Sequence, residues 1–88
     1  MQKLLIKNHL IVQGLTINEK LNVVGWILQS DQNDDNNGVV ANVNGIETRI
    51  GYEQPIITML PAGTYINPIR LGNTGANNRL LATIYYFE

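Results

Sequence analysis

The chain predicts an all-β fold, a small antiparallel β-sandwich or jelly-roll-like barrel of seven to eight short strands. Three observations carry this. The ordered segments are rich in Ile, Val, Leu, Thr and Tyr and run only about five to ten residues. Gly, Pro, Asn and Asp separate them, and asparagine alone occurs 12 times. Helical periodicity is poor, since the best candidate, residues 18–29, contains Val23, Val24, Gly25 and Trp26.

The elements follow in order. Residues 4–6 and 10–12 read as short strands around Asn8-His9, and residues 21–30 as a longer strand. Residues 31–38 (DQNDDNNG) form a polar loop with almost nothing to bury. Residues 39–43 and 46–52 read as a hairpin about Asn44-Gly45, because a type I′ turn needs positive φ at both central residues. Its register sets Val43 opposite Ile46, Ala41 opposite Thr48 and Val39 opposite Ile50, all on one face. Pro55 precedes a strand at residues 56–60, and Pro61-Ala62-Gly63 makes a turn. Residues 64–71 read as a strand broken at Pro68, which cannot donate to a ladder. Residues 72–78 (GNTGANN) form a loop and residues 79–87 the final strand.

At 88 residues the chain is one domain with a thin core, burying about 60–65% of its unfolded surface. It has no cysteine to staple that core. A metal or self-association is then the usual support. A net charge of −1, with six scattered basic residues, argues against nucleic-acid binding. No apolar run approaches a membrane span, so no membrane insertion is expected; the longest is residues 23–28. Lys3, Leu4, Leu5 and Ile6 begin like a signal peptide. Lys7, Asn8 and His9 interrupt it and no small-residue cleavage site follows. Synthesis in a cytoplasm without a cleaved signal is the expectation.

Two strands are apolar on both faces. In residues 21–30 one face carries Leu21, Val23, Gly25 and Ile27, the other Val24, Trp26 and Leu28. In the last strand Leu80, Ala82, Ile84 and Tyr86 oppose Leu81, Tyr85 and Phe87. A two-layer sandwich has one interior, so the second faces need cover. Either the N-terminal strands cover them or another chain does. Aromatic side chains are enriched in interface cores, which favours the second. Trp26, Leu81, Tyr85 and Phe87 are the expected interface residues. The final strand, with nothing but Glu88 after Phe87, also reads as an open edge that invites pairing.

No catalytic set emerges. His9 is the one histidine and Ser30 the one serine, so no serine–histidine–acid arrangement is expected. No phosphate-binding glycine loop is present. Glu47 and Glu53 could pair as acid and base, but Glu47 lies on the polar hairpin face beside Arg49. Asp31, Asn33 and Asp35 have the alternate spacing of a calcium loop, yet Asn36 and Asn42 stand where its glycine and bidentate glutamate belong. No enzyme activity, metal or cofactor is expected.

The segment MLPAGTY at residues 59–65, followed by residues 68–71 and the closing strand at residues 80–87, resembles the ends of small β-sandwich and jelly-roll proteins of phage particles. Minor capsid, decoration and fibre proteins share this style, and bacterial fibre subunits are similar. The resemblance implies a structural protein in a virion, assembling with itself or with a larger capsid or fibre protein. It carries over no functional residue. A carbohydrate-binding module is the alternative, with Trp26, Tyr52 and Tyr65 stacking on sugars among the Asn-rich loops.

Overall fold

A computed structural model describes residues 3–30, 39–51, 53–74 and 79–87. The acidic loop at residues 31–38, Tyr52 and residues 75–78 lie outside them, and with them the calcium-like spacing and one of the candidate sugar-stacking rings.

Eight strands form: β1 (Leu4–Ile11), β2 (Thr16–Glu19), β3 (Asn22–Ser30), β4 (Val39–Val43), β5 (Ile46–Ile50), β6 (Ile56–Met59), β7 (Ile69–Asn73) and β8 (Leu80–Phe87). They make two four-stranded sheets. Sheet I has the order β1-β8-β3-β6 and sheet II the order β2-β7-β4-β5. The pairs β4–β5, β3–β6, β2–β7 and β1–β8 are all antiparallel. The chain is thus one long hairpin folded at Asn44-Gly45. It is rolled so that β8 also meets β3 and β7 also meets β4. That is the jelly-roll path through a β-sandwich.

The hairpin has the register the sequence predicts, with Val39, Ala41 and Val43 opposite Ile50, Thr48 and Ile46. Asn44 and Gly45 take φ of 49° and 93°. Asn44 also holds the tip to β7: its Oδ1 accepts from Arg70 N at 2.7 Å, and its N donates to Arg70 O at 3.0 Å.

Other expectations change. β1 is a single strand through Asn8-His9, because both residues find tertiary partners: Thr83 Oγ1 donates to Asn8 Oδ1 at 2.7 Å, and His9 faces Glu19. Thr16–Glu19 is a strand that the sequence did not announce. β7 starts after Pro68, and the strand expected before it contributes only a bridge from Ile66 to Val23. Gly72 and Asn73, expected in a loop, belong to β7. Buried Asn73 closes the β1–β2 corner, its Nδ2 donating to Ile11 O at 2.9 Å. β8 is not an edge; it lies between β1 and β3.

β3 departs from simple alternation. Val23 pairs with Tyr86 and Gly25 with Tyr85, so Val24 is an extra, bulged residue. A bulge rotates everything beyond it by one face. Val23 and Trp26 therefore point the same way, into the core with Leu28, where the sequence reading set Val23 apart from Trp26. The interior is completed by Ile11, Val39, Ala41, Ile50, Ile69, Leu71, Leu80, Ala82 and Ile84.

Candidate assembly interface

Directly opposed residues in a sheet share a face, so the ladder register maps each surface. On the outward side of sheet I, Leu4, Phe87 and Asn22 form one row. Ile6, Tyr85, Gly25 and Met59 form the next. Asn8, Thr83, Ile27 and Ile57 follow, then Leu10, Leu81 and Gln29. None of these positions carries a charge. Leu4, Ile6, Leu10, Ile57 and Met59 are each at least half exposed, from 50% at Leu10 to 64% at Ile57. Leu81, Tyr85, Phe87 and Ile27 are half-buried. Met59 lies across Gly25 and occupies the space a side chain there would need. Of the polar members, Thr83 donates to Asn8, and Asn22 Oδ1 accepts from Asn67 Nδ2 at 2.9 Å; Gln29 is the fourth.

At one end this face runs into an open groove of about 490 Å³, lined by Leu4, Phe87, Val24, Met59 and the turn from Pro61 to Tyr65. Gly63 gives the turn its φ of +82°, and Thr64 closes it by donating both N and Oγ1 to Pro61 O. The MLPAGTY segment thus forms one wall of the groove. Tyr65 is exposed beside it.

Three of the four interface residues expected from sequence stand together here: Leu81, Tyr85 and Phe87. Trp26 does not join them. It is 7% exposed and packs in the core, because the Val24 bulge turns it inward. The same burial removes Trp26 as a sugar-stacking platform. The N-terminal strand does not cover the face either. β1 lies beside β8 in the same sheet and extends the apolar surface with Leu4, Ile6 and Leu10. Those residues went unnoticed because reading β1 as two fragments hid its alternation. Ile27, Ile57 and Met59 were hidden for another reason: only the tertiary register brings β3 and β6 into line with β8.

Charged side chains meet at the β1/β2 rim. At the β1/β2 side Lys7 Nζ and His9 Nε2 each lie 2.9 Å from Glu19 Oε1, so an ion pair spans the two sheets. Hydrogen bonding from Lys7 holds the Glu19 carboxyl below its ordinary value, against the opposing effect of burial; the Lys7 and His9 charges add to the lowering. Among the described residues no group of three or more metal-ligating side chains occurs, and no helix is long and apolar enough to cross a membrane.

Fold and surface together define a jelly-roll sandwich with one apolar, uncharged outer face. No protein-family model, curated protein or solved structure matches the chain.

Proposed function

We propose that this is a non-enzymatic structural protein that assembles through the outward face of sheet I, with itself or onto the shell of a virion as a minor capsid or decoration component. The observation that carries the reading is the face itself. Soluble monomers rarely expose contiguous apolar patches beyond a few hundred Å², and this one spans all four strands of a sheet without a charge. The virion part rests on kinship of style. Jelly rolls build viral capsids, but they also build lectins and cupins, so the fold alone does not choose among them. A carbohydrate-binding role keeps only Tyr65 of the described aromatic candidates, beside an apolar groove. That is poor chemistry for sugar hydroxyls.

Light scattering coupled to size-exclusion chromatography tests the reading. The parent chain is expected to form an oligomer or to co-elute with a shell protein. Replacing Tyr85 and Phe87 together with Ser should release monomers while leaving the β circular-dichroism signal intact. A monomeric parent whose double variant unfolds outright would place these side chains in the intrachain core and end the proposal.

A further inference from the structure

Resting on the assembly reading, we infer that the occupant of the sheet I face is the same face of a second copy, packed sheet on sheet about a two-fold axis near Tyr85, Thr83 and Ile27. In a two-fold contact the residues around the axis meet their own copies, so any charge there faces its like. Sheet I offers none. Sheet II turns Glu47, Arg49 and Arg70 outward, so a contact there would have charges to desolvate.

Size agrees. Three strands of about eight residues and one of half that length, at 3.3 Å per residue and 4.8 Å between strands, cover roughly 450 Å² in plan. Two such faces meeting fully give about 900 Å² in plan before side-chain relief, close to the lower limit of specific interfaces.

The competing route is edge-to-edge pairing. At the β1 edge, Lys7 lies on the inward register, opposite buried Ile84, and is held with His9 by Glu19. An inward-pointing charge of this kind blocks strand addition. The opposite edge, β6, is only four residues long and is flanked by Pro55 and Pro61. The face of sheet I is therefore free to join where its two edges are not.

The test uses charge complementation at Ile27. Ile27→Lys and Ile27→Glu should each weaken self-association by about 100-fold or more, because like charges meet near the axis. Mixed in equal amounts, the two should recover the parent's mass by light scattering. If either variant fails to fold by circular dichroism, Ile57→Lys and Ile57→Glu, at a more exposed side chain in the same row, give the same readout with about 10-fold weakening. Variants that associate like the parent would overturn the inference and leave assembly through another surface standing. So would variants that are monomeric alone and stay monomeric when mixed. A parent that is monomeric across a concentration series would also overturn it. The docking of Tyr85 and Phe87 onto a shell protein is then tested separately by the double Ser variant.

Discussion

Sheet II turns Thr16, Asn18, Asn42, Glu47, Arg49 and Arg70 to solvent, while sheet I turns out Leu4, Ile6, Ile57, Met59, Leu81 and Tyr85. Both sheets obey the same two-residue period, and both bury one face in a shared core. The core needs only the inward residues, so the outward ones are free to answer other demands. On sheet II they meet water. On sheet I they are of the kind that fills an interior, and no part of the described chain covers them. Under the proposed assembly, that contrast separates a stability requirement from an assembly requirement within one strand.

Ile84 and Tyr85 give the sharpest form of the contrast, being neighbours on β8 that face opposite ways. Ile84→Ala should cost about 2–5 kcal/mol of folding stability through a core cavity. It should lower the melting temperature whether or not assembly occurs. Should Tyr85→Ala cost as much in an isolated monomer, the two faces of β8 would not differ in the way described.

A smaller loss is expected at the hairpin tip. Gly45 sits at φ +93°, so Gly45→Val forces a β-branched residue into the left-handed region at about 1–3 kcal/mol. Chemical denaturation measures this, and an unchanged midpoint would remove the turn from the account.

At the rim the effect is smaller again and depends on pH. The Glu19 carboxyl is lowered in the folded protein from about 4.5, so its contribution is present above that ordinary value and lost as pH falls through the folded one. Lys7 is 45% exposed, and screening keeps the pair below about 1 kcal/mol. Melting curves between neutral and acid pH should show a decline that Glu19→Gln reduces. Equal declines in both proteins would show that the pair does not brace the sheets.

The smallest effect belongs to sheet II. Arg70→Ala should change stability by no more than about 0.5 kcal/mol and leave the oligomer mass alone. A dissociated oligomer in that variant would move the interface to the other side of the sandwich.

Much of this was legible in the residues. Asn44-Gly45 specified both the turn and the register of β4 and β5. The alternation in β8 separated Ile84 from Tyr85 correctly, and the surplus of apolar faces was visible in the residue pattern alone. The rest depended on long-range geometry. Nothing local marks Val24 as an extra residue, yet it sends Trp26 inward. Thr-Ile-Asn-Glu is too short and polar to announce β2; it is a strand because Ile17 pairs with Leu71 across the ladder. The full extent of the apolar face required knowing that β1 and β6 flank the β8–β3 pair.

The rolled-hairpin topology also bears on how the molecule reaches its native state. Pairing β4 with β5 closes only a two-residue turn, whereas joining β1 to β8 closes nearly the whole chain. Loop-closure entropy grows with the span enclosed, so the central hairpin is the cheapest contact to make, and the outer pairs follow in order of span. Chains dominated by distant strand pairings fold in milliseconds to seconds. Until β1 arrives, β8 presents an unpaired margin beside its apolar face. The slowest contact to form is therefore the one that separates the native fold from a chain able to pair with the wrong neighbour.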